Sequence, residues 1–262
     1  MIELDYYVNG IDLYSKTEFY TPFPDPKDVF ADPVDLHLEF LIPVGTLSLS
    51  VFSEMNGFVH FVLPKESPGG CGENLTKHED YFSFYCRKNY LGFNIKEGKY
   101  QLDTDFNFFL KRYYENHSSS LNVTETQLKA LTEQYAYVEK EVQERKTFYQ
   151  NNQWLCSDID KYNKEKYQFL KRPFVQSIGG RSFHGNWSNF TYRFPLSRYP
   201  DRFIEGNESF ECDQVLPQTK DGRDFVFIGS LEMWNYIGSH NGILMLFYDP
   251  VDKIALNTID WT

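Results

Sequence analysis

GRDFVFIGSLEMWNYIGSHNGILMLFYDPVDKIALNTIDWT, residues 222–262, is the stretch that decides the fold. Its two apolar runs, residues 225–228 and 243–248, are separated by glycines and by an Asn241-Gly242 pair suited to a turn with positive φ. Beyond Asp249-Pro250, Ile254, Leu256 and Thr258 alternate with Ala255 and Asn257. The pattern predicts two or three adjacent strands that form a sheet core, and it carries no catalytic constellation of its own.

The N-terminal part repeats this character. Leu36, Leu38 and Phe40 alternate with His37 and Glu39, as a half-buried strand requires, and Leu47, Leu49 and Val51 repeat the period beside Ser48 and Ser50. Asn56-Gly57 then leads into residues 58–63, a hairpin signal. The match between Asn56-Gly57 and Asn241-Gly242 predicts a two-half pseudo-repeat. A Pro-rich acidic stretch, residues 21–33, is expected to be a surface connection, and residues 66–72 a loop. That loop lacks the spacing of a phosphate-binding P-loop. Tyr81, Phe82, Phe84 and Tyr85 read as a strand, whereas Phe106, Phe109, Leu110 and Tyr113 have helical spacing.

The middle of the chain is helical. Thr124 and Gln127 have capping-box spacing, and Leu128, Leu131, Tyr135, Val138, Val142 and Tyr149 follow at three- and four-residue intervals with Arg145 in the same seam. This helix is expected to run close to Asn151 and to pack across a sheet or against the next helix. A second amphipathic segment starts at Ser157, with Asp160 at the capping-box offset, and continues through Ile159, Tyr162, Phe169 and Leu170. The reading is therefore an α+β fold, 1–262 as a single domain, with largely antiparallel β-sheets at both ends and helices from the central segment.

At 262 residues the chain can bury a sizeable core, and an aromatic fraction of 18% argues against disorder over much of its length. The net charge of -11 disfavours nucleic acid, whose binders carry a basic stripe for the phosphates. The acidity is concentrated: residues 1–40 hold nine acidic side chains against Lys16 and Lys27. Asp25, Asp28, Asp32 and Asp35 belong to that stretch, which is either a solvated face or a surface that steers a basic protein partner. No apolar run approaches the roughly 20 residues that span a bilayer. The acidic N-terminus has no secretory pattern, so no membrane association and a cytoplasmic location are expected.

Cys71, Cys86, Cys156 and Cys212 match neither a zinc knuckle nor a Cys-x-x-Cys motif and are expected to be reduced thiols. Six Asn-x-Ser/Thr sequons, at Asn74, Asn116, Asn122, Asn186, Asn189 and Asn207, carry weight only in a secreted protein. His184, between glycines in GGRSFHGNW, is the histidine best placed for proton transfer, with Ser182 and Asp201 as the nearest partners in sequence. His60 sits inside an apolar strand, where hydrogen bonding to a neighbour is the ordinary role. His78 beside Glu79 and Asp80 lacks the turns that aim three ligands at one metal. No catalytic residue, metal ligand or cofactor is assigned on these grounds. Phe183, Trp187, Phe190, Tyr192 and Phe194 with Arg181 and Arg193, and Trp234 with Tyr236, are either core or a recognition surface. The candidate protein interface comprises Asp25, Asp28, Asp32, Asp35, Arg181, Trp187, Arg193, Trp234 and Tyr236.

Gly179-Gly180, Pro195, residues 225–228 with Gly229, and Gly242, Leu244, Phe247 and Tyr248 resemble the YwqG-like family of bacterial proteins. The resemblance covers roughly residues 173–262, and Ser230 stands where the family frequently has Gln. It implies a largely antiparallel α+β architecture and no catalytic set. Proteins of this pattern also resemble immunity proteins encoded beside bacterial toxins. The functional expectation is a cytoplasmic protein-binding module, an immunity protein that neutralises a basic cognate toxin by covering its active surface. The alternatives are a hydrolase with an assembled His184 or cysteine site, and a small-ligand-binding protein.

Overall fold

The computed structural model describes residues 13–52, 55–69, 78–117, 125–167, 170–182, 184–189, 192–199 and 214–261. The C-terminal runs form strands β11 (Val226–Glu232), β12 (Gly242–Asp249) and β13 (Ile254–Trp261), each antiparallel to the next. β13 also pairs with β4 (Tyr90–Lys96), which pairs with β5 (Lys99–Leu102), and β11 pairs with the short β8 (Ser177–Ile178). The result is one six-stranded antiparallel sheet, ordered β5-β4-β13-β12-β11-β8, in which strands from both halves of the chain join.

The uninterrupted apolar run in β12 has a physical cause: this sheet is covered on both faces. Leu244, Leu246 and Tyr248 belong to one core, while Met245 and Phe247 belong to another on the opposite side, as the two-residue period dictates. β11 would break this rule, because Ile228 and Leu231 share the first core although their numbers differ in parity. A register shift between Phe227 and Gly229 inserts the extra residue that restores the facing.

The first core lies against a second, three-stranded antiparallel sheet of β1 (Tyr20–Pro22), β2 (Leu41–Ser48) and β3 (Phe58–Pro64). Val44, Leu47, Val59 and Phe61 enter it from this side. Polar ties cross between the sheets: His60 donates its backbone N–H to the Tyr100 hydroxyl at 2.7 Å, and Asn257 Nδ2 donates to the Val62 carbonyl at 3.4 Å. Over the opposite face, Trp187, Phe194, Phe225 and Val215 of β10 (Gln214–Pro217), which pairs with β9 (Leu196–Tyr199), complete the second core, and β6 (Leu155–Cys156) pairs with β7 (Lys171–Arg172).

The central helix α4 (Glu125–Asn152) closes the first core with Tyr135, Val138 and Val142, the residues its spacing selects. Arg145, the polar seam position, is buried and held by Glu141 at 3.1 Å and the Ser157 carbonyl at 3.3 Å. Glu141 also accepts the Gly238 N–H at 3.2 Å, which fastens α4 to the β11–β12 connection. Thr124, its expected cap, lies outside the described residues.

The remaining helices among the described residues are α1 (Pro26–Val29), α2 (Val34–Phe40), α3 (Leu110–His117) and α5 (Ile159–Glu165). Four local expectations are corrected. Residues 36–40 are helical, in α2: His37 and Phe40 are its buried residues, and His37 stacks on Phe30 at 4.9 Å. β2 ends at Ser48, whose Oγ accepts the Ser50 N–H, so Leu49–Val51 turns as a 3-10 helix and does not extend the strand. Tyr81 ends a 3-10 turn (His78–Tyr81), and Phe82, Phe84 and Tyr85 bend around Ser83, whose Oγ accepts the N–H groups of Tyr85 and Cys86. α5 is capped by Asp158, which accepts from the Lys161 N–H at 2.9 Å, and not by Ser157. The two Asn-Gly pairs also differ: Gly57 has φ of 98°, whereas Gly242 opens β12 opposite Trp261, outside the positive-φ glycines.

Candidate functional site

Asp25, Asp28, Asp32 and Asp35 are exposed on α1, α2 and the link between them. The Pro26 ring starts α1 and leaves Asp25 as its N-cap, whose carboxylate accepts the Lys27 N–H at 3.0 Å. Glu39 is exposed on α2 as well, so five carboxylates occupy fifteen residues of surface. The helices are held by their apolar sides: Val29 and Phe30 are fully buried, as is Phe40.

Beside this acidic face runs a groove of about 600 Å³ between the β1–α1–α2–β2 segment and α4. One wall presents Pro24, Leu38 and Ile42; the α4 wall presents Ala136, Glu139 and Gln143. Lys65, at the exit of β3, reaches the groove and is 2% exposed. Its ammonium donates to the Leu38 carbonyl at 2.6 Å and to the Glu139 carboxylate, bridging the two walls. Burial lowers the Lys65 pKa, while the Glu139 contact raises it. The groove itself is lined by apolar residues with Glu139, Lys140 and Lys146 on the α4 side and Lys65 already paired, while the four aspartates lie outside it on the α1–α2 side.

The other interface candidates fall elsewhere. Trp187 and Tyr236 are fully buried, which corrects their reading as surface anchors. Trp187 packs against Phe247 at 5.4 Å in the second core, and the Tyr236 hydroxyl donates to the Phe174 carbonyl at 2.9 Å. Trp234 is 37% exposed, donates to Glu232 at 2.6 Å and lies beneath the Arg172 guanidinium at 5.2 Å. Arg181 and Arg193 are exposed. The structure thus groups the four aspartates and places the other candidates on different elements.

His184 lines a separate cavity of about 560 Å³ with Arg198 and Asp260. Its Nδ1 lies 2.6 Å from Ser188 Oγ, a distance compatible with a base and its nucleophile. Ser188 is nevertheless buried, and its Oγ contacts the Gly185 N–H at 3.3 Å and carbonyl at 2.9 Å, the bonds of a turn. Arg198 Nη1, a donor, sits 3.2 Å from the same Nδ1 and competes with the serine for its lone pair. This pair is held for structure, not set for nucleophilic attack. Of the sequence-level partners, Ser182 instead donates to the Val215 carbonyl, and Asp201 lies outside the described residues.

Cys86 and Cys156 are free and fully buried, and burial pushes the Cys86 thiol up to about 12, which removes the thiolate a nucleophile requires. Cys71 and Cys212 lie outside the described residues. His60 is buried, with Nδ1 2.9 Å from Thr46 Oγ1, and His78 Nε2 is 2.8 Å from the Phe108 carbonyl. Among the described residues no group of three or more His, Cys, Asp or Glu side chains is arranged to hold a metal ion. No described helix is long and apolar enough to cross a membrane.

Lys65, Glu139, Arg198 and Asp260 escaped the sequence reading. The Lys65-Glu66 pair at the end of an apolar strand is the one local signal that marked a buried charge. No family model, curated protein or solved structure matches the chain.

Proposed function

We propose that this protein is a cytoplasmic protein-binding module that receives a basic partner on the α1–α2 face. The observation that carries the reading is the row of exposed carboxylates alongside an apolar groove. Such a surface divides the work of recognition: the charges accelerate encounter and fix orientation, and the channel takes apolar side chains that hold the complex. Proline residues at the groove wall keep it preformed, which lowers the ordering cost of binding. In the immunity form of this reading the partner is a cognate toxin whose basic active surface is covered. That form is suggested by analogy with immunity proteins encoded beside bacterial toxins; no family model matches the chain.

The test is co-expression with the product of the adjacent gene, followed by co-purification at low and at high salt. A stable complex that weakens with salt is expected, and so is a loss of about tenfold in association rate in the Asp28→Asn/Asp35→Asn variant. Asp25 is left intact because it caps α1. Failure to form a complex, or a complex indifferent to both changes, would reject the assignment.

A further inference from the structure

We propose that the cavity bounded by His184, Arg198 and Asp260 binds the oxyanion group of a small molecule, a carboxylate or a phosphate, through Arg198 and His184. Its volume of about 560 Å³ matches that of small-molecule sites and exceeds what a bare ion needs. It is formed where β13 ends. Asp260 shares the face of β13 that carries Ile254 and Leu256, so the strand period delivers it to the second core and the 3-10 turn (Asn186–Ser188). Asp260 Oδ1 accepts the Trp187 N–H at 3.1 Å. The carboxylate also lies against Gly185, where a Cβ would stand 2.6 Å from both oxygens. One oxygen of Asp260 is thereby held by the backbone, and the carboxylate lines the cavity beside Arg198.

The donors are set by the chemistry of the neighbours. A guanidinium only donates, so in the tautomer that accepts from Arg198 Nη1 at 3.2 Å the neutral His184 ring carries its proton on Nε2; the other tautomer donates from Nδ1 to Ser188 Oγ at 2.6 Å, whose own proton goes to the Gly185 carbonyl. Both ring contacts use Nδ1, and Nε2 has no protein partner among the described residues. Arg198 is steadied by that contact and by Nη2 donating to the Ser188 carbonyl at 3.3 Å. Its remaining N–H groups, with the Nε2–H of the first His184 tautomer, form the donor set that oxyanions select. Arg198 is the cation and Asp260 the anion among the cavity's lining residues, and the chain leading to it, residues 166–200, holds Lys166, Lys171, Arg172, Arg181, Arg193 and Arg198 and no acidic residue.

The experiment is an NMR titration of the full chain at constant ionic strength, with inorganic phosphate in one arm and acetate in the other. Side-chain signals of Arg198 and His184 are followed. Saturable shifts with at least one oxyanion are expected, and the arm that saturates at lower concentration identifies the group. Arg198→Gln should weaken that titration at least about tenfold, whereas Arg181→Gln, which does not line the cavity, should leave it unchanged. If Arg198→Gln does not fold, His184→Phe removes the second donor and is read in the same way. No saturable shift in either arm overturns the proposal, as does an equal titration in the variants, the mark of diffuse surface attraction.

Discussion

The Tyr135 hydroxyl in α4 donates to Glu66 Oε2 at 2.9 Å, and through this bond the carboxylate joins three elements. Glu66, separated from the end of β3 by Lys65, accepts the Leu110 N–H at 2.5 Å and the Lys111 N–H at 3.2 Å, capping the first turn of α3. Burial raises its pKa to about 7, and the three hydrogen bonds only partly oppose that rise.

A pH dependence with a definite sign follows. The folded protein holds the Glu66 proton up to about pH 7, while the unfolded chain releases it near the ordinary 4.5. Glu66 therefore contributes stability that is full below about pH 4.5 and lost as pH rises through about 7, on the order of 3 kcal/mol. Glu66→Gln mimics the protonated form. Urea unfolding at about pH 5 and about pH 8 should give the variant a pH dependence that differs from the parent's by this decline, whatever other groups add to both. Equal slopes in the two proteins would refute it.

His60 supplies the opposite slope. Burial lowers its pKa to about 4, and His37 and His78 are lowered by burial too. The unfolded chain then binds protons that the folded one rejects, so stability is present above about pH 6.5 and is lost as pH falls towards 4, by about 3 kcal/mol for His60. The Glu66 and His60 windows overlap, and the parent should show little net change between them. His60→Gln should expose the Glu66 slope, and Glu66→Gln the histidine slope. Calorimetric melting across this range checks both, and parallel curves for the two variants would contradict the assignment.

Gly229 sits where β8 meets β11, and a Cβ there would press on the Ser177 carbonyl, a backbone atom that cannot rotate away. Gly229→Ala should destabilise the protein by about 1–3 kcal/mol. The loss should be local at first, seen as faster hydrogen exchange at Gln176 and Gly179, whose N–H groups bond to Ser230 and Ile228. Unchanged exchange at both would show that the edge strand adapts.

The sequence was most legible where one physical demand dominates a long window. The five buried residues of α4, from Tyr135 to Phe148, recur at three- and four-residue spacing within a helix of 28 residues, the period of a single helical face. β12 was legible as a strand although it shows no alternation, because burial on both faces erases the period while the bounding turns remain. α2 was misread because Leu36, Leu38 and Phe40 fit a strand period, whereas in the helix His37 and Phe40 turn inward to stack on Phe30 and Phe109. The candidate sites were mostly illegible. Glu66 meets its partner N–H 44 residues away, and Asp260 meets Trp187 across 73, so no local spacing reports them. The exposed aspartates were visible because a surface role needs no partner within the chain.

The two tryptophans proposed as interface anchors should separate under truncation. Trp187 is fully buried between the sheet and its covering layer, and Trp187→Ala should cost about 3–5 kcal/mol through lost burial and a residual cavity. Trp234 loses one hydrogen bond and one cation–π contact at the surface, so Trp234→Ala should cost no more than about 1 kcal/mol. Denaturant midpoints of the two variants decide it. Similar midpoints would mean that the layer over Trp187 contributes little to the folded state.

Thiol reactivity tests the interior away from that layer. Cys86 lies in the first core, with Sγ 3.3 Å from both the Gly92 carbonyl and the Gly92 nitrogen, and Cys156, in a small cluster with Phe148 and Leu170, contacts the Asp158 carbonyl at 3.3 Å. Burial raises both thiols, Cys86 to about 12. In a Cys71→Ser/Cys212→Ser variant the remaining pair should react with a disulfide reagent only through unfolding. A pKa raised this far cuts the Cys86 thiolate fraction at neutral pH by on the order of a thousandfold relative to an exposed thiol. Labelling should therefore rise in step with the denaturant-induced loss of structure. Prompt labelling of Cys86 in the native protein would mean that the Gly92 backbone opens without global unfolding, and would reopen the thiol as a candidate nucleophile.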